Sequence, residues 1–339
     1  MRLFVSIIFF SSLISYKSIA QSPEIYFKHL TINEGLPSND VLSIFEDFHG
    51  FMWFGTNEGL ARYDGYSIQS FVYDNADTIG LSNNTIQCLA QDNNENLWIG
   101  TKQGLNCLDL STMKFKTAWK NNNKPLIQTS INCLLFDSSH KLWVGTDRGL
   151  FEYDSKNLTF LLRRAKYNEP DISSSNIIYS VCEGKNNKIW VGTKRGLDLL
   201  NPGTGLSKRF LDSIAIKDIL CDSKGSIWIL QTINGTQSIW HSESSENVYF
   251  IKYNELLLSE RTVIDQITED KQGNYWLAIR DKGTYFLDKN SGKWMNMLYD
   301  KYNPSGINSN VPQTIYSDSY GNVWIGSYDM GVDFFDIHK

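Results

Sequence analysis

Five histidines, at positions 29, 49, 140, 241 and 338, are the first candidates for acid–base chemistry in this chain. They are scattered over different copies of a repeat. His49 and His140 occupy a turn where other copies carry Asn, Lys or Gly, which marks them as turn residues. No HExxH, GxSxG or Gly-rich phosphate loop is present. Seven acids recur: Asp47, Asp92, Asp137, Glu183, Asp222, Asp270 and Asp318. Each is expected to open the same turn of its own repeat and to accept from that turn's backbone, so the acids would be spread around a rim and would not converge. Asp92-Asn93-Asn94-Glu95-Asn96 shares the start of a calcium loop but lacks its sharp-turn glycine and terminal glutamate. The sequence therefore predicts no catalytic residue, no metal site and no cofactor.

Cys88, Cys107, Cys133, Cys182 and Cys221 are odd in number and show no CxxC spacing, which argues against a disulfide framework and a structural zinc site. Cys88, Cys133, Cys182 and Cys221 fall on the same kind of segment and read as small buried residues of repeated strands. A single disulfide stays open, with no pairing assignable from sequence. The cations that could bind a ligand lie in short turns: Asn57-Glu58, Lys102-Gln103, Asp147-Arg148, Lys194-Arg195, Asp281-Lys282 and Asp329-Met330. These dipeptides vary in chemistry while the flanking Thr and Gly are largely retained, as expected of specificity grafted onto a scaffold. Lys102, Arg148, Lys194 and Arg195 are the candidate binding residues, forming a cationic arc suited to an acidic saccharide.

The elements that position these turns follow from one repeat. Trp53, Trp98, Trp143, Trp190, Trp228, Trp276 and Trp324 recur 38 to 48 residues apart. Around them runs an acidic residue, a polar turn, then aliphatic-Trp-aliphatic-Gly-Thr, two polar residues and Gly-Leu. Leu97-Trp98-Ile99-Gly100-Thr101-Lys102-Gln103-Gly104-Leu105 and Leu142-Trp143-Val144-Gly145-Thr146-Asp147-Arg148-Gly149-Leu150 are the clearest copies. One copy resolves into four strands: Ile131 to Phe136, Leu142 to Thr146, Leu150 to Tyr153 and Leu158 to Leu162. Four short antiparallel strands in such a repeat make one propeller blade. The glycine after each Trp-aliphatic pair would weaken a strand unless a group from the next blade packs over it. The tryptophans are expected in inter-blade packing, leaving Trp119, Trp240 and Trp294 as candidates for exposure, with outer-strand packing as the equal alternative.

The predicted fold is thus an all-β, seven-bladed propeller of four-stranded antiparallel blades. The last copy ends in its third strand at Asp333 to Ile337, and Ile25 to Leu30 supplies the missing fourth, closing the ring and removing an exposed edge. Residues 1–20 read as a signal peptide: Arg2, an apolar run from Leu3 to Ile14, and Ser18-Ile19-Ala20 as cleavage site. Residues 21–339 form the propeller, with no membrane span in the mature chain. A formal net charge of −5, with Arg163, Arg164 and Lys166 as the densest basic spot, leaves no footprint for nucleic acid.

The repeated block resembles the two-component regulator propeller repeat from about Ile25 to Ile337. It departs in the fifth copy, Trp228-Ile229-Leu230-Gln231-Thr232, and in the sixth, Trp276-Leu277-Ala278-Ile279-Arg280. The resemblance implies a periplasmic sensor of a hybrid two-component regulator that binds an oligosaccharide or similar polar ligand, with a second propeller or a membrane histidine kinase as partner. The competing expectations are a protein–protein scaffold and an exported propeller lyase or glycosidase.

Overall fold

The computed structural model describes residues 26–74, 80–116, 129–163, 177–205, 207–233, 236–243, 248–253, 256, 262–289 and 291–335. The expected signal peptide, Trp119, Arg164, Lys166 and His338 lie outside these residues. Seven four-stranded antiparallel sheets follow one another along the chain. Their first strands touch successively, and that of the seventh blade (Pro312–Ser317) meets that of the first (Val41–Glu46), so the sheets form a closed ring. The seventh sheet is completed by Phe27–Leu30, which pairs antiparallel with Val332–Phe335, in register from Phe27 with Phe335 to Leu30 with Val332.

Second strands such as Leu142–Thr146 are buried along their whole length, because each is central in its own sheet and is also covered by a neighbouring blade. Every repeated tryptophan is at most 7% exposed. Each packs on the following blade: Trp53 on Ile86, Leu97 and Ile99, Trp143 on Ile178, Ile189 and Val191, and Trp324 on Val41, Met52 and Phe54. A blade therefore has no core of its own, and the hydrophobic gain is realised only between neighbours. The intolerant glycine follows from this packing. A Cβ on Gly100 would lie 2.4 Å from Cys88 Sγ and 2.8 Å from Ile131 Cγ2 of the next blade. In the fifth and sixth blades Leu230 and Ala278 take this position.

The Thr-x-x-Gly hairpins are locked by their own side chain. Thr146 Oγ1 donates to Gly149 O at 2.9 Å and accepts from Arg148 N at 2.9 Å, while Gly149 adopts φ +131°. One sequence expectation needs correction, and one open alternative is decided. Cys182 and Cys221 are joined by a disulfide between the first strands of blades four and five, so these two are cross-links and not plain small core residues. Trp240 and Trp294 are half-buried by outer-strand packing: their indoles donate to Ser238 Oγ at 3.0 Å and to the Tyr253 hydroxyl at 3.3 Å.

Candidate functional site

The turns between first and second strands lie on one face, here the lower. At Asp137 the Oδ1 accepts from Ser139 N and Lys141 N, each at 2.9 Å, and Oδ2 accepts from Trp143 Nε1 at 2.8 Å. The same three bonds recur at Asp47, Asp92, Asp222, Asp270 and Asp318. These carboxylates cap turns as expected, and that of Asp92 is occupied by chain donors. Glu183 is not the seventh member. Gly184 stands at that position, against Trp190 Nε1, and Glu183 instead accepts from Ser138 N at 2.7 Å and Ser138 Oγ at 2.6 Å across the blade boundary. Its counterparts Glu46 and Glu269 hold Ser319 and Ser223 in the same way.

The described histidines occupy separate surroundings. His29 Nδ1 pairs with Asp333 at 2.7 Å on the closing strand, His49 lies 3.3 Å from Glu95, His140 contacts Asn93, and His241 stacks on Trp228.

The opposite, upper face collects the hairpins between second and third strands and the blade-to-blade connections. Backbone bonds from Asn57 N to Asp40 O, Lys102 N to Thr85 O, Asp147 N to Ser130 O and Lys194 N to Ile177 O hold each hairpin against the connection that enters its own blade. Lys102, Arg148, Lys194 and Arg195 are all on these hairpins, in three consecutive blades. They are not equivalent. Arg195 acts on Asp212 at the end of its blade's outer strand, helping Arg209 hold that carboxyl below its usual range. Lys194 acts inward, on Lys217 of the next blade.

The inner rim of this face was not visible as a site in the sequence. Each first strand carries a β-bulge after its first ladder residue, or after its second in the fifth blade, which frees one side chain per blade: Leu42, Gln87, Asn132, Tyr179, Lys217, Asp265 and Gln313. Bulges re-aim side chains in this way next to functional sites. A strand that simply alternates would place its aliphatics at every second position. In these first strands the aliphatics stand at the first and fourth places, as in Ile131-Asn132-Cys133-Leu134, and that spacing was the available signal.

Six polar groups of the rim engage neighbours or each other. Gln87 Oε1 accepts from Ser130 Oγ at 2.6 Å, Asn132 Nδ2 donates to Asp147 Oδ1 at 2.9 Å, and Gln313 Nε2 donates to Asp40 Oδ1 at 2.6 Å. Asp265 accepts from Arg280 Nε at 3.1 Å and Nη2 at 2.8 Å. The Lys217 ammonium lies 4.1 Å from the Tyr179 ring centroid. Burial lowers the Lys217 pKa most, Asp265 acts against this, and Lys194 lowers it further. Burial raises the Tyr179 phenol, with Asp147 adding to the rise.

A model of the two-component regulator propeller matches residues 35–58, 80–103, 125–148, 172–195 and 305–329. No curated protein matches the chain in sequence. Among solved structures, the extracellular domain of a putative hybrid two component system from B. thetaiotaomicron is 24% identical with a TM-score of 0.75, covering 92% of this chain and 42% of that one. A second such domain from the same organism is 22% identical with a TM-score of 0.73, covering 91% and 39%. A streptogramin B lyase is 13% identical with a TM-score of 0.69, covering 92% and 97%. This chain thus spans less than half of the two-component relatives, and at these identities the likeness establishes the fold. The matched segments contain the aliphatic-Trp-aliphatic-Gly hairpin units of blades one to four and seven, so these five blades carry the two-component regulator propeller repeat.

Proposed function

We propose that this chain is a ligand-binding sensor propeller that performs no chemistry of its own and serves two-component signal transduction. The observation that carries the reading is the upper rim: seven structurally equivalent bulge positions hold seven side chains of differing chemistry on a nearly constant scaffold. A constant frame with variable convergent groups is how recognition is built on a superfold. The ligand in this reading is an oligosaccharide or other polar molecule. The pattern of residues 1–20, and the description of similar structures as extracellular domains of putative hybrid two component systems, support export to the periplasm. A membrane kinase, alone or with a second propeller, would carry the signal inward.

The separate surroundings of the described histidines favour binding over acid–base catalysis, since general acid–base work needs groups within reach of one substrate. The test is a thermal-shift screen of the mature chain against oligosaccharides. A ligand that prefers the folded state stabilises it by about 2.7 kcal/mol at a hundred times its Kd. Turnover of a saccharide by the purified chain would overturn the non-catalytic reading, and a screen without any shift would remove support for sensing.

A further inference from the structure

Blades four and five differ from the rest of the upper rim in what their side chains leave unsatisfied. Gln87, Asn132, Asp265 and Gln313 are engaged by side-chain partners, and Leu42 needs none. Lys217 is exposed and overlies Tyr179, and among the described residues its ammonium has no hydrogen-bond or ion-pair partner. Lys194, also exposed, has none either. Its backbone is held by Ile177 O at 3.0 Å, two residues before Tyr179, which places the hairpin beside the start of the strand that carries Tyr179. The acids around them are committed elsewhere. Asp265 is chelated by Arg280, Asp147 accepts from Asn132, and Asp218 accepts from Ile219 N, Ile267 N and Ser180 Oγ. Two ammonium groups are thus held near each other, with the neighbouring carboxylates already bonded. The Lys217 pKa falls through burial first; Asp265 opposes this and Lys194 adds to the fall. Like charges held together with no carboxylate bonded to either are unfavourable, and an incoming anion relieves them.

Resting on the sensor reading, we infer that the rim between blades four and five is an anion subsite in which Lys194 and Lys217 grip a carboxylate or sulfate group of the ligand beside Tyr179. Lysine suits this role because an ammonium acts as a compact point charge with three donors. Arg148 and Arg195 occupy the second hairpin position, where Arg195 acts on Asp212 of the outer strand, and Lys102 lies two blades away from Lys194. The subsite is therefore centred further inward than a four-residue arc.

Isothermal titration of the purified chain with trigalacturonate, a chondroitin sulfate disaccharide and neutral maltotriose tests it. An anionic probe is expected to bind, with Lys217→Gln and Lys194→Gln each weakening it about tenfold, the scale of one lost charge-assisted hydrogen bond. Unchanged melting temperatures would show that both variants fold. An anionic probe that binds both variants as well as the wild type overturns the subsite while leaving the sensor reading intact. So does binding of maltotriose alone. Failure of all three probes, together with a blank oligosaccharide screen, counts against both.

Discussion

On the lower face, six of the seven first turns open with an aspartate that makes the same three bonds, two to its turn and one to a buried tryptophan six residues on. On the upper face, the seven equivalent bulge positions carry Leu, Gln, Asn, Tyr, Lys, Asp and Gln. One ring symmetry governs both faces, so the difference lies in what each position must satisfy. A lower-face aspartate answers to buried donors that every blade repeats, and a substitution leaves those donors unpaired. An upper-rim residue answers to the opening at the centre, where the scaffold sets direction and leaves chemistry free.

Three substitutions sharpen this contrast, beginning with the inter-blade core that both faces share. Trp143→Ala should cost about 3–5 kcal/mol by chemical denaturation, since it empties the contact with Ile178, Ile189 and Val191. A cost below about 1 kcal/mol would mean that blades carry their own stability. Asp137→Ala should cost about 1–3 kcal/mol, because Trp143 Nε1 and two backbone donors lose their acceptor. Glu183→Ala, which removes only the bonds to exposed Ser138, should cost about 1 kcal/mol or less. Equal costs for the two would erase the distinction between cap and inter-blade clasp.

Ring closure supplies a smaller, pH-dependent effect. The hydrogen bond to Asp333 raises the His29 imidazole above its ordinary value of about 6.5, so the folded ring holds this proton more tightly than the unfolded chain. Its contribution is complete below that ordinary value and is lost as pH rises through the raised one. Burial also raises Asp333, which acts in the same direction at lower pH. Between pH 6 and 8 the wild-type melting temperature should therefore fall more than that of His29→Gln; parallel profiles would refute the linkage. The smallest expected stability change is on the upper face. Arg148→Glu combined with Lys194→Glu should stay within about 0.5 kcal/mol of the wild type, as surface substitutions do, while suppressing saccharide-induced stabilisation. Unchanged ligand affinity in that double variant would eliminate the cationic hairpins as binding groups.

How much of this could be read in advance depended on the range over which a residue is constrained. Ile131 to Phe136 and Leu142 to Thr146 were delimited to the residue because period, glycine and turn chemistry are local signals. The closing strand was legible because a missing unit at one end matched a spare one at the other. The mis-assignment of Glu183 came from treating an acid one place early as the same cap, when only geometry distinguishes it from Gly184. Lys217 and Asp265 were missed because a bulge turns them inward, where Lys217 meets Tyr179 across a blade boundary, and Arg280 because its partner Asp265 lies on another strand of its blade.

The sequence alone determined the count of blades, the strand order within each and the closure of the ring, since a unit without its own core can bury its tryptophan only against the next copy. Tertiary structure decided which of the seven first-strand side chains meet at the central opening, and which two cysteines lie close enough to join. Those are distances between segments tens to hundreds of residues apart, and they are set by the curvature of the assembled ring, which no window of sequence contains.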